Sequence, residues 1–359
     1  MSRPARVVIH LAALRHNLSR VKELAPGRLI MAVVKADAYG HGLVRAALAL
    51  QDVHSFGVAC IEEAEQLRVA GITHPIVLLE GPFAVDELER IAVQRLEIVV
   101  HHEEQIRMLE QARPAVPIRV WLKVDTGMHR LGFAPEAVAQ ARRRLLACSA
   151  VADEVTLISH LADAGDRHSS LVGEQLACFE QVSSDLEGPR SMANSAGILH
   201  WRESLYDYVR PGLMLYGVSP MDDDIAADHD LRPVMNLESE LISVKDLKQG
   251  DPVGYGATWS CPEDMPVGIV AAGYGDGFPR HAGSGTPVIV DGVRSQVVGN
   301  PSMDMLCVDL RPLPQAKVGD PVQLWGDQLP VEEVARHAGT IPYELLCDVQ
   351  TRLQVIERE

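Results

Sequence analysis

The sequence predicts an α/β protein, a (β/α)8 barrel (TIM barrel) followed by a C-terminal, mainly antiparallel β domain. Short apolar runs alternate with amphipathic stretches eight times over about 200 residues, the pattern of parallel strands wrapped in helices. Residues able to do chemistry follow those runs: Lys35, Lys123 with Asp125 and Arg130, His160, Asn194 with Ser195, and Arg210. In a barrel the carboxyl ends of the strands open onto one face, so these residues would converge on one pocket. After about Leu231 the texture changes to short β-type segments punctuated by Pro and Gly. A doubly wound sheet is the alternative, but no GxGxxG follows the first run.

Taken in order, a first candidate strand, Arg6 to Ile9, precedes the barrel. Barrel strands are expected at Leu29 to Val34, Ser55 to Ala59, Ile76 to Leu79, Glu97 to Val100, Ile118 to Val124, Glu154 to Ser159, Ser191 to Ala193 and Tyr208 to Val209. Each leads to a helical pattern or a turn, as with Glu62 to Val69 and Asp86 to Ala92. The acidic stretch Met221 to Asp230 reads as a solvated connection. Strands then follow at Glu238 to Val244, Val267 to Ala271, Thr286 to Val290, Gln296 to Val298, Leu306 to Leu310 and Pro321 to Leu324, and only Val331 to Ala338 reads as a helix there. The expected domains are 10–230 and 231–359, with residues 1–9 a strand free to join the second.

Composition narrows the function. A chain of 359 residues with 47% hydrophobic and 23% charged residues can bury one large core and a smaller one. A net charge of −16 argues against nucleic acid, since phosphate neutralisation needs a basic face. Local arginines can still bind small anions. The six cysteines lack any CxxC or metal-ligand spacing, so they are expected to be reduced and mostly buried, in a cytoplasmic protein. The N-terminus has no apolar signal region, and no run approaches membrane-spanning length.

The stretch AVVKADAYGHG, Ala32 to Gly42, ends an apolar run in a lysine. Desolvation at a strand end disfavours an ammonium, and an unprotonated amine is what a Schiff base needs. The plainer reading is a lysine paired with Asp37. KVDTGMHRLG, Lys123 to Gly132, adds a second lysine and Arg130, whose planar fork suits a carboxylate. A buried lysine beside a buried arginine needs its charge removed or inverted, unless Asp125 pairs with it. YVRPGLMLYG, Tyr208 to Gly217, closes the eighth unit, where barrels commonly cradle phosphate. Ser195, Gly212 and Leu213 suit such a cradle, with Gly212 and Leu213 supplying amides because Pro211 has none. A phosphate-bearing cofactor attached through Lys35 points to pyridoxal phosphate. In the second domain, GYGATW, GYGDGFPR and GNPSMDM set tyrosines on tight turns or simply decorate hairpins. A tyrosine near a histidine or arginine can act as an acid or base.

VVKADAYGHG, KVDTGMHRLG, ANSAG, VRPG with LYG, VGYGATW, GYGDG and SMDM, in this order from about Arg6 to Arg352, resemble the bacterial alanine racemases. The resemblance implies a pyridoxal 5'-phosphate barrel, a β domain and a head-to-tail homodimer whose active sites lie between one barrel and the partner's β domain. It implies interconversion of L- and D-alanine, with D-alanine as a cell-wall precursor. Lys35 would carry the cofactor and act as the base for the D enantiomer, and Tyr255 from the other subunit would act on the L enantiomer. Arg210 would contact the pyridine nitrogen, and His160 would pack by the cofactor and couple Arg210 to Tyr255. Arg130 would bind the phenolic oxygen and the substrate carboxylate, oriented by a carbamylated Lys123. Tyr39, Ser195, Gly212, Leu213 and Tyr343 would hold the phosphate, with Asn194 beside them. Met303 of the partner would donate to the substrate carboxylate, with Asp304 and Tyr274 at the entrance. The chain departs from the family pattern at Asp37, at Asn300-Pro301 and at Phe278.

A serine-preferring or broader racemase shares these features, since a methyl and a hydroxymethyl differ little in a polar pocket. A pyridoxal-phosphate carrier of the same barrel would lack the β domain. A decarboxylase would have to release the carboxylate that Arg130 clamps.

Overall fold

The computed structural model describes residues 3–359, so residues 1–2 of the expected 1–9 strand lie outside the described residues. A strand, β1 (Arg6–His10), is followed by eight strands that close into a parallel barrel. These are β2 (Leu29–Val33), β3 (Ser55–Val58), β4 (Ile76–Leu78), β5 (Glu97–Val100), β6 (Ile118–Lys123), β7 (Val151–Ile158), β8 (Arg190–Ser191) and β9 (Tyr208–Val209). Barrel strands buried on both faces read as continuous apolar runs, and β3, β4 and β5 are buried throughout. Inside the barrel Met31, Val77, Val99, Trp121 and Ile158 form their own packed layer.

The C-terminal part adds β10 (Met235–Leu247), β11 (Pro252–Val253), β12 (Trp259–Ser260), β13 (Met265–Val270), β14 (Pro287–Val290), β15 (Val293–Val298), β16 (Leu306–Asp309), β17 (Pro321–Trp325) and β18 (Gln354–Arg358). They form a mainly antiparallel eight-stranded sheet in the order β13-β16-β15-β14-β17-β10-β1-β18, with β11 and β12 a separate pair. β1 lies in this sheet, antiparallel to β10 and parallel to β18. Among the described residues no helix is long and apolar enough to cross a membrane.

Four sequence expectations need correction. The β domain carries a second helix, Pro342–Cys347, whose six residues are too short to show a helical period. β18 and the pair β11 and β12 were not anticipated, because charged or very short segments lack an alternating apolar signal. The cysteines are all free, but only Cys148 and Cys261 are buried, and Cys347 is exposed. The stretch Met221–Asp230 is not uniformly solvated: Met221 and Ala226 are buried. There Glu332 Oε1, itself buried, accepts the Ser219 and Ala226 amides at 2.9 Å each and ties the helix Val331–Ala338 to the barrel.

The backbone after β2 has an unusual form. Ala36, Asp37, Ala38 and Tyr39 all adopt left-handed φ, between 52 and 55°. A left-handed turn costs non-glycine residues about 1–2 kcal/mol each, so it must be held from outside. Ala36 N–H donates to Glu63 Oε1 at 2.7 Å, and Asp37 Oδ1 accepts the Leu43 amide at 2.7 Å. Gly40 follows at φ +77°, where a Cβ would lie 2.1 Å from Leu346 O, so glycine permits the close approach to helix Pro342–Cys347.

Candidate active site

A cavity of about 460 Å³ opens at the carboxyl ends of the barrel strands. Lys35, Lys123, Arg130, His160, Arg210 and the Tyr39, Asn194, Ser195, Gly212, Leu213 and Tyr343 group all line it. A larger hollow of about 590 Å³ lies instead around the amino ends of β5 and β6, away from these groups. Barrel chemistry belongs to the opposite face, so the mouth is the candidate site.

Arg210 follows β9 and is fully enclosed. Its Nη1 donates to Ser191 Oγ at 2.6 Å, and its Nη2 donates to Ser159 O at 2.5 Å and Met192 O at 3.2 Å. Nη2 also lies 3.3 Å from His160 Nδ1. Burial pulls the guanidinium down to about 9, which leaves it charged at neutral pH. Burial, then Arg210 and the neighbouring lysines and arginine, hold His160 well below the usual imidazole range. A neutral His160 can therefore accept from Arg210 through Nδ1.

Lys123 ends β6 and is 8% exposed. Burial, and then Arg210 and Arg130, pull its ammonium down to about 7 against the raising effect of Asp125. Asp125 does not pair with it. The Asp125 carboxylate instead accepts the Gly127 and His129 amides at 3.0 Å and faces the His129 ring at 3.2 Å. The loop bearing Arg130 is pinned by Phe133 N–H to Lys123 O and Asp125 N–H to Phe133 O, at 2.8 and 2.9 Å. Lys35 likewise makes no pair with Asp37, whose carboxylate caps the next helix through Leu43.

The phosphate cradle differs in detail from expectation. Gly212 N–H donates to Ser195 Oγ at 3.0 Å, as does Met214 N–H at 3.3 Å. With two donors on its oxygen, the Ser195 hydroxyl has its own proton to offer the cavity. Asn194 caps the short helix Ser195–His200 through Gly197 N–H at 2.9 Å, so its side-chain oxygen is already committed. A Cβ on Gly212 would lie 2.5 Å from Tyr39 Oη, so this glycine leaves the room beside the tyrosine hydroxyl. Tyr39 and Tyr343 rings stand 5.9 Å apart, and burial raises both phenols, Tyr343 to about 12. Glu80 and Cys347 also line the cavity and were missed. Cys347 was findable only by placing it one helical turn beyond Tyr343.

The β-domain residues lie elsewhere. Tyr255 is 70% exposed, Met303 is 54% exposed, and Tyr274 and Asp304 also face solvent. None of them lines this chain's cavity. Their backbones are nonetheless fixed. Asp276, fully buried, accepts from Arg3 at 2.5 and 2.7 Å, from Arg352 at 2.9 Å and from the Gly273 amide at 2.9 Å. Arg352 also reaches Asp304 Oδ1 at 2.8 Å, and the Gly275 amide donates to Met303 O at 2.8 Å. Asn300 Nδ2 donates to Tyr255 O at 3.1 Å, which links two neighbouring turns. Phe278 is buried and stacks against Trp325, with ring centroids 6.3 Å apart.

Comparison with known proteins agrees with this geometry. The family description "Alanine racemase, N-terminal domain" matches residues 9–220, and "Alanine racemase, C-terminal domain" matches residues 234–357. The alanine racemase of Halorhodospira halophila is 53% identical, covering 99% of this chain and 98% of that one. The crystal structure of biosynthetic alanine racemase from Pseudomonas aeruginosa superposes with a TM-score of 0.97 at 45% identity, covering 99% of this chain and all of that one. That of alanine racemase from Bartonella henselae with covalently bound pyridoxal phosphate superposes at 0.89 with 30% identity, covering 99% of each chain. With both halves matched and the fold shared from end to end, the chain belongs to the alanine racemase family.

Proposed function

We propose that this alanine racemase interconverts L- and D-alanine on pyridoxal 5'-phosphate held by Lys35, in a site completed by the β domain of a second copy. The observation that carries the reading is the barrel mouth, where one buried arginine, two lysines and a hydroxyl-lined cradle meet in one cavity. The residues fit the cofactor: the space beside Gly212 and the free proton of Ser195 suit a phosphate, and Arg210 is a buried cation. When bound, pyridoxal phosphate supplies an electron sink that makes the α proton of an attached amino acid acidic.

This chain's residues then divide the work. Arg210, charged and locked by Ser191, Ser159 and Met192, would face the ring nitrogen and keep it unprotonated, which limits side reactions. Lys35 would take or return the α proton on one face, and Tyr255 of the second copy on the other. Racemisation needs both, because the proton leaves one side and returns to the opposite one. Neutral His160 would relay charge between Arg210 and that tyrosine. Arg130 would clamp the substrate carboxylate.

Lys123, with an amine poised near neutrality and no ion pair to Asp125, is suited to add CO2 with release of a proton. The resulting carbamate would supply the anion that Arg130 and Arg210 lack. Met303, Asp304 and Tyr274 of the second copy would line the entrance. The alanine racemase relatives support alanine over serine as the substrate. Six unpaired cysteines suit the reducing cytoplasm. Borohydride reduction of the protein with pyridoxal phosphate, followed by peptide mapping, should fix the label on Lys35; label on another lysine overturns the assignment.

A further inference from the structure

One buried histidine has no part in the chemistry above. His41 closes the left-handed turn behind the cradle, 1% exposed. Its Nδ1 lies 3.0 Å from Ala38 O and 2.8 Å from Tyr39 O. Carbonyl oxygens only accept, so Nδ1 carries the proton and Nε2 is bare. Nε2 is buried without a hydrogen-bond partner, and a proton there would be a stranded donor. Burial accordingly pulls the ring down to about 4, and it stays neutral at physiological pH.

The ring is held as firmly as it holds. It stacks on Tyr216 with centroids 4.6 Å apart, and the Tyr216 hydroxyl donates to Val33 O at 2.9 Å. Tyr39 packs on the same tyrosine at 4.8 Å. The Tyr39 carbonyl is gripped by His41, while its hydroxyl stands beside Gly212. We infer that His41 is a positioning residue for the cofactor's phosphate: its Nδ1–H clamps two carbonyls of the left-handed turn and thereby aims the Tyr39 hydroxyl at the cradle. The inference rests on the pyridoxal-phosphate reading and deepens it.

The test compares binding of pyridoxal 5'-phosphate with binding of pyridoxal, which lacks the phosphate, by absorbance titration of His41→Phe. Phe keeps the stack and loses the donor. Affinity for pyridoxal phosphate should fall roughly tenfold or more, the scale of one hydrogen bond to a charged group. Affinity for pyridoxal should stay within about twofold, because only the phosphate contact is lost. His41→Asn, whose amide can donate from the same position, should restore most of the difference. In a Tyr39→Phe background, H41F should add little further loss. Equal weakening toward both ligands, or none toward either, overturns the inference. Should H41F not fold, His41→Leu carries the same comparison with the same outcomes. If the wild-type chain itself fails to prefer the phosphate form, the cradle reading falls and the inference with it. If wild type prefers it and H41F keeps that preference, only the inference falls.

Discussion

At the barrel mouth Arg210 is buried and spends its guanidinium on three protein oxygens, whereas Tyr255 on the β domain stands 70% exposed. Both regions fix their backbones with care. The mouth does so through parallel strand ends, and the β-domain face through the buried Asp276 and its two arginines. They differ in what surrounds the side chains. The mouth supplies its own neighbours and shifts their protonation, but Tyr255, Met303 and Tyr274 stay largely or partly open to solvent within one chain. A backbone tied by hydrogen bonds with exposed side chains suits the contributing half of the two-chain site proposed above. Disturbing each region should therefore have a distinct signature.

The largest effect is expected from the two proposed proton carriers. Lys35→Ala and Tyr255→Phe should each lower racemisation about 10²- to 10⁴-fold, the scale of a positioned acid or base. Circular dichroism of the two unliganded variants should match wild type. Activity within a few-fold of wild type for Y255F would make the β-domain face incidental.

Lys123 gives the second signature. In CO2-free buffer the native amine titrates near 7, while the unfolded one titrates near 10.5. Between those values the unfolded chain binds the extra proton, so stability rises with pH, by up to about 1.4 kcal/mol per pH unit. Lys123→Met should abolish that rise in denaturant titrations at pH 7.5 and 9.5. An unchanged slope would mean that Lys123 is not a lone buried amine.

The junction between the regions should respond least. Glu332→Ala strips the acceptor from the Ser219 and Ala226 amides and should cost roughly 1–3 kcal/mol. Glu332→Gln keeps the acceptor oxygen and should recover most of it. Because burial raises this carboxyl, its ionised form costs stability as pH rises through its folded value, so Gln should gain on wild type toward neutral pH. Urea denaturation of both variants at two pH values checks the sign.

The barrel was legible in the sequence because strands buried on both faces must be apolar, and their chemistry must sit at one end. Lys35, Lys123, His160 and Arg210 follow from that rule alone. The left-handed turn at Ala36–Tyr39 was not legible, since its two alanines carry no φ > 0 signal and the side chains that help hold it, His41, Asp37 and Glu63, act from outside its pattern. Simple pairing of Lys35 with Asp37 and Lys123 with Asp125 failed for one reason. Proximity in sequence ignores that backbone amides compete for a carboxylate, and here they take both. The roles of Tyr255 and Met303 came from the resemblance, because both side chains are largely exposed in one chain.

The proposed shared site is tested most directly by mixing the impaired Lys35→Ala and Tyr255→Phe proteins after reversible dissociation. Each mixed dimer would hold one site lacking both groups and one with both intact. Random pairing should restore about a quarter of wild-type activity, since half the dimers would carry one good site. No recovery, with mixed dimers shown to form, would contradict a site built from two chains.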